Sequence, residues 1–294
     1  FLKSSTKVQY FFHFCKFICV ITKKKLNLYD FSTVYFYKMT VWNAIYRTIC
    51  YFWHTLTAVN TGGYGIHSPS LFYQARFLIN ETYPYYCFGE IENERKRLLR
   101  ATKTIYVEDF GTGNSEQRQI RRIAQGSLMN PKEAQLLFRL VYDTKPESIL
   151  ELGTNLGITT SYLAKACPKA EITTMEGSRE ILAEADKIWK KLKINNITAV
   201  QGNIDTTLPE WTKHQKKLDW VIIDANHTEN ATLRYYEMIK PLLDEHSIVV
   251  IDDIYHSPQM HSAWEKIKNS KEVTSSFNLF DIKSYLHKHF KIRI

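Results

Sequence analysis

With 294 residues and 44% hydrophobic content, the chain can bury one large core, or one core with a helical cap. The net charge of +9 suggests a nucleic-acid surface, but seven lysines (Lys3, Lys7, Lys16, Lys23, Lys24, Lys25, Lys38) against one acid, Asp30, sit in residues 1–38. The remainder carries only a small excess of bases, which argues against nucleic-acid binding. Five cysteines (Cys15, Cys19, Cys50, Cys87, Cys167) are an odd number without a C-x-x-C pair. They suggest neither a disulfide framework nor a zinc site and fit a reducing, cytoplasmic setting.

The chain begins at Phe1, and Met39 is its first methionine. Residues 8–21 are apolar, yet too short for a spanning helix and interrupted by Lys16. The run Lys23-Lys24-Lys25 follows the apolar part, the reverse of the order in a secretory signal. The expectation is that translation starts at Met39 and that 1–38 is an upstream segment; the alternative is a membrane-surface anchor.

From Met39 to about Asn80, Trp42, Ile45, Ile49, Phe52, Trp53 and Leu56 recur at helical spacing, predicting a helix that packs its apolar face on the main domain. Thr61-Gly-Gly-Tyr-Gly65 breaks it. Ile66-His-Ser-Pro-Ser70 restarts a helix, with Ser68 as N-cap, Pro69 in the first turn and His67 structural. A charged helix is expected near Ile91–Lys103. Residues 39–130 then form a helical cap shaping a substrate region.

Gly111-Thr-Gly113-Asn114 looks like a phosphate loop, but no lysine and no regular apolar strand accompanies it. The spacing predicts a polar turn at the edge of a substrate lid. Arg118, Arg121 and Arg122 read as a solvated helix face, the alternative being contact with an anionic substrate. Asn130-Pro-Lys-Glu133 caps the next helix, whose apolar positions are Ala134, Leu137, Phe138 and Val141.

Ser148-Ile-Leu-Glu-Leu-Gly-Thr-Asn-Leu-Gly157 reads as strand, tight turn and helix start. Gly153 and Gly157 permit a sharp turn and close approach of a ligand to main-chain N–H groups. The spacing is G-x-x-x-G, not the G-x-G-x-x-G of a dinucleotide site, and no Walker lysine follows. Strand and helix then alternate: strands at 148–152, 171–175, 198–201, 218–223 and 247–251, and helices at 179–193 and 230–243. This is the pattern of a parallel sheet with helices on both faces. The strands end in Glu176-Gly177, Gly202-Asn203, Asp224 and Asp252-Asp253, at the edge where open α/β sheets bind ligands. Glu176 can accept two ribose hydroxyls on its two oxygens. Glu151 suits a cofactor bearing ammonium and sulfonium groups and would repel a pyrophosphate.

Ile149–Gly157, Thr174-Met-Glu176, Gln201-Gly-Asn203, Val221–His227 and Val249–Asp253 resemble, in order and spacing, the class I S-adenosylmethionine-dependent methyltransferases. The likeness covers roughly residues 130–294 and is closest to the bacterial branch similar to catechol and caffeoyl-CoA O-methyltransferases. It implies an α/β, Rossmann-like, seven-stranded, mostly parallel sheet over 131–294 with helices on both faces, an N-terminal helical extension, and one antiparallel strand among Val273–Leu279 and His289–Ile294. By that resemblance Glu151, Gly153, Thr154 and Gly157 line the methionine portion of S-adenosyl-L-methionine. Glu176 takes the ribose, Gly177 beside it belongs to the same cofactor site, Asn203 lies near the adenine, and Asp224 closes the pocket beside the methyl group. Asp224, Asp252 and Asp253 are the residues that could hold Mg2+ or another divalent cation, with Asp253 standing where the family has Asn. His227 and His256 are the rival catalytic bases.

The reaction so implied is O-methylation of a small-molecule hydroxyl by in-line displacement, in a homodimer with neither nucleic-acid partner nor stable membrane insertion. Tyr255, His256, Met260 and Trp264 are expected to shape the acceptor pocket, although Trp264 and Ile267 also read as core. A non-catalytic cofactor-binding module and an NAD-dependent oxidoreductase are the alternatives, the second disfavoured by the glycine spacing and by Glu151.

Overall fold

Apolar runs bounded by turn residues supply the strands, and their parity sorts them onto two faces. In the computed structural model, which describes residues 31–57, 66–79, 81–111, 113–279 and 282–287, β1 (Thr104–Val107) and β2 (Glu116–Gln119) form an antiparallel hairpin. β3 (Ser148–Leu152), β4 (Glu171–Glu176), β5 (Ile197–Gln201), β6 (Leu218–Ile223), β7 (Leu243–Ile251), β8 (Ser275–Leu279) and β9 (Ile282–His287) form one seven-stranded sheet in the order β5-β4-β3-β6-β7-β9-β8. The five strands β3 to β7 run parallel, and β9 is antiparallel to both of its neighbours. The chain winds outward from β3 through β4 to β5, then returns to the other side of β3 for β6 and β7. The point of reversal lies between β3 and β6, where ligands enter such sheets.

Residues of one parity, such as Ile149, Ile172, Ile222 and Val250, join a core with helices Phe88–Arg100, Pro131–Thr144 and Ile158–Ala166. Residues of the other parity, such as Leu150, Val221, Val249 and Ile251, pack against helices Glu229–Ile239 and Pro258–Lys268. Strands buried on both faces in this way read as continuous apolar runs, which is why they were legible from sequence. The helix before β3 starts as expected: the Asn130 side chain accepts from the Lys132 N–H, and Pro131 occupies the first turn.

Several expectations need correction. The charged helix runs over Phe88–Arg100 and gives way to β1, so Val107 ends a strand whose partner, β2, is too polar to announce itself. Phe88, Ile91 and Leu98 share one continuous core with the sheet, so this helix is no separate cap. The first helix spans Phe31–Thr57, and the chain divides into two units between Ile45 and Tyr46, with the sheet wholly in the second. On that helix Ile49, Phe52, Trp53 and Leu56 stand 47–70% exposed instead of packed on the domain. The helix restart at Pro69 is found, continuing as a π-helical turn over Gln74–Ile79. The break at 61–65 and the terminal strand placed at 289–294 lie outside the described residues; the last described strand is β9. Among the described residues no helix is long and apolar enough to cross a membrane.

Candidate active site

The turn after β3 is shaped first by packing. Gly153 has φ +100°, and a Cβ built on it would lie 2.2 Å from the Asp224 carbonyl oxygen at the end of β6. Gly157, at φ +73°, would place a Cβ 2.7 Å from the Ala185 Cβ and 2.8 Å from Trp189 Nε1. Both glycines therefore admit neighbouring protein: one joins the ends of β3 and β6, the other seats the helix Ile158–Ala166 against helix Arg179–Lys191. Trp189 Nε1 donates to the Gly157 carbonyl at 3.1 Å and fixes that contact.

Above this turn opens a cavity of about 1350 Å³. Gly153, Asn155, Glu176, Gly177, Asn203, Asp224, His227, Asp252, Asp253 and His256 line it, so most residues singled out by sequence converge there. Three lie behind the wall. Glu151 is buried, its Oε2 accepting from the Thr160 and Thr174 hydroxyls at 2.6 Å each. Thr154 is buried with its hydroxyl 2.6 Å from that of Thr174, and Gly157 is spent on helix packing. Glu151 thus anchors the underside of the turn through two hydroxyls, a role no sequence pattern announced.

Glu176 is held from below. Its Oε2 accepts the Asn155 N–H and its Oε1 the Ser178 N–H, both at 2.9 Å. Each oxygen has a further lone pair, so the carboxylate can still receive two hydroxyl donors from a ligand. Desolvation raises its pKa above the usual carboxylate value, the backbone donors oppose this, and the nearby charge of Asp109 adds to the rise. Asn203 caps the helix Ile204–Thr212, its Oδ1 accepting from the Asp205 N–H at 3.0 Å, and closes the β5 side.

At the other end, in the loops after β6 and β7, three positions take unusual backbone forms. Asn226, His227 and Asp253 all have positive φ, at 61°, 21° and 52°. Such conformations cost energy in non-glycine residues and concentrate where geometry is held for use. His227 Nε2 stands 3.9 Å from Asp224 Oδ1 and 4.0 Å from Asp253 Oδ2, and its ring centre lies 5.8 Å from that of His256. The three carboxylates of Asp224, Asp252 and Asp253 share this end, but among the described residues no group of three or more His, Cys, Asp or Glu side chains is placed to hold a metal. Of the four residues expected around the acceptor, only His256 lines the cavity. Met260 and Trp264 belong to the core with Ile267, and Tyr255 is partly buried against that core, its hydroxyl accepting from the Asn278 side chain.

Sequence reasoning missed the wall contributed by the hairpin. Tyr106 N–H donates to Glu180 Oε2 at 2.8 Å and Arg179 N–H to Glu108 Oε2 at 3.2 Å, fastening the hairpin to the start of helix Arg179–Lys191. Arg118 and Arg122 face the cavity and Arg121 does not; Arg118 is paired with Glu116 at 2.7 Å and Asp109 at 3.8 Å. The alternating Thr104-Ile-Tyr-Val107 was the available signal.

The sheet order, with a cavity at its reversal point, defines a Rossmann-like α/β domain. Residues 150–254 match a family model described as a methyltransferase domain. The chain's likeness to solved structures supports the same fold. A putative O-methyltransferase from Klebsiella pneumoniae superposes with TM-score 0.52 at 14% identity, covering 70% of this chain and 91% of that one. The SAH-bound methyltransferase PaMTH1 from Podospora anserina gives 0.51 at 14%, covering 71% and 99%. Among curated proteins, the chain is 28% identical over 127 residues to a "Transmembrane O-methyltransferase homolog" of Rattus norvegicus, covering 42% of this chain and 47% of that protein. It is 27% identical over 134 residues to a protein-L-isoaspartate O-methyltransferase of Paracoccus denitrificans, covering 44% and 59%. The chain thus spans about half the length of the curated relatives it matches. They come from mammals and a fungus as well as bacteria, so they mark no bacterial branch.

Proposed function

We propose that the chain is an S-adenosyl-L-methionine-dependent methyltransferase that methylates a hydroxyl of a small-molecule acceptor. The observation that carries this reading is Glu176 in the cavity, pinned by two backbone N–H groups and able to take two further hydroxyls. The relatives named O-methyltransferases support oxygen as the nucleophile.

Glu176 would hold the ribose, Asn203 and Gly177 would flank the adenine, and Gly153 with Asn155 would bound the methionine portion. Glu151 would add negative charge beneath the sulfonium. S-Adenosylmethionine supplies an electrophilic methyl group: the acceptor oxygen forms the new C–O bond as the C–S bond breaks, and the electron pair stays on sulfur. The chain's own work is to align that oxygen and to receive its proton. His227 Nε2 takes the proton, and the Asp224 and Asp253 carboxylates steady the imidazolium that forms. His256, close behind, keeps the second position at this end of the cavity. No step here is drawn through Mg2+, since among the described residues no group of three or more His, Cys, Asp or Glu side chains is placed to hold a metal.

Calorimetric titration of the full chain with S-adenosylmethionine, with and without Mg2+ and with NADH as control, tests the reading. Binding of S-adenosylmethionine alone is expected. Binding of NADH alone would favour an oxidoreductase, and a requirement for Mg2+ would replace the histidine-base scheme. A panel of phenolic and catecholic acceptors with mass detection of the added methyl group separates an enzyme from a cofactor-binding module.

A further inference from the structure

Phe110 sits at the tip of the β1–β2 hairpin. Its ring lies against Gly177: a Cβ on that glycine would fall 2.7 Å from Phe110 Cδ2 and 3.3 Å from Cε2. Gly177 directly follows Glu176, and both line the cavity with Phe110, Asn203 and Ile204. The hairpin is fastened here by the Tyr106 and Arg179 hydrogen bonds to Glu180 and Glu108, and Ser178 Oγ stands 3.4 Å from the Glu108 nitrogen. On the far side, a Cβ on Gly111 would lie 3.4 Å from Asn226 Oδ1. The tip therefore crosses from the end of β4 toward the loop after β6, over the mouth of the cavity. Phe110 is nonetheless 51% exposed, an apolar ring left half in water beside a site for a flat heteroaromatic group.

Resting on the proposed cofactor site, we infer that Phe110 forms the outer wall of the adenine pocket and stacks on the base. The glycine after Glu176 is what lets the ring approach. With the ribose on Glu176, the base lies toward Asn203 at the end of β5, and the face turned away from the sheet meets Phe110. Stacking of a base on an aromatic ring is sequence-tolerant and loses binding when the ring is truncated.

The test is the dissociation constant for S-adenosylhomocysteine in the full chain and in F110A, F110L and F110W, with melting temperatures as the check on folding. F110A and F110L should each weaken binding by roughly 5- to 100-fold, while F110W retains it. F110L fills the same space without a π face, so a purely structural role would spare it. Wild-type affinity in F110A, or in F110L, overturns the inference. Failure of the wild-type chain to bind S-adenosylhomocysteine overturns the methyltransferase reading beneath it, a distinct outcome.

Discussion

Replacing Gly153 by alanine tests how the site is assembled. At φ +100° a side chain is held in a region L-residues avoid, costing about 1–2 kcal/mol. The added Cβ would also sit 2.2 Å from the Asp224 carbonyl oxygen, so the ends of β3 and β6 must separate by about 1 Å to restore ordinary contact. That separation strains the bond from the Asp224 N–H to the Leu152 carbonyl, 2.8 Å long, and overpacking of this kind adds about 1–3 kcal/mol. The sum is about 2–5 kcal/mol, or a fall in melting temperature of roughly 5–15 °C for a domain of this size. Gly113→Ala is the control: φ is +74° and nothing lies within 4 Å of the added Cβ, so only the conformational cost of about 1 kcal/mol applies. Thermal and urea unfolding followed by circular dichroism measure both. If G153A loses no more stability than G113A, the close approach of β3 and β6 is not what the glycine serves.

His227→Asn should lower the rate of methyl transfer by about 100- to 10,000-fold while leaving cofactor affinity near wild type, read from single-turnover kinetics beside calorimetry. Because burial raises the pKa of Glu176, its ionised fraction falls as pH drops through that raised value; cofactor affinity should decline on the acid side, above the pH where an ordinary glutamate titrates, and Glu176→Gln should flatten the profile. Asp244 loses solvent but gains the Lys217 ammonium, which holds its pKa at about 2 against an ordinary 3.8. Its stabilisation is present above the unfolded value and is lost as pH falls from about 4 toward 2, so Lys217→Met should shift acid unfolding to higher pH. Trp189→Phe removes the donor to the Gly157 carbonyl and should destabilise the fold by about 1–2 kcal/mol, seen in denaturant titration.

The parallel sheet was legible because its strands are buried on both faces and end in ligand-facing residues, from Ser148–Leu152 to the Asp252-Asp253 pair. The β1–β2 hairpin was not, because Glu116-Gln-Arg-Gln119 is polar along its whole length and a two-stranded ribbon need not alternate. Helical spacing in Ile49–Leu56 correctly gave a helix, but periodicity cannot say whether the apolar face is covered, and here it is exposed. At the site, Glu176, Asp224 and His227 followed from strand endings. Phe110 did not, since its place depends on a hairpin docking 67 positions along the chain, onto Gly177. Glu151 shows the opposite limit: its position was evident, but its commitment to the Thr160 and Thr174 hydroxyls arises only from tertiary packing.

Glu176 and the surrounding strand ends are proposed to form an adenosyl-binding site. Calorimetric titration of S-adenosylhomocysteine into the full chain and its Glu176→Ala variant tests it most directly. Saturable binding by the wild-type chain and affinity lower by at least about tenfold in the variant, with melting temperature preserved, is the predicted result. Equal affinity in the two proteins would mean that Glu176 does not hold the adenosyl group.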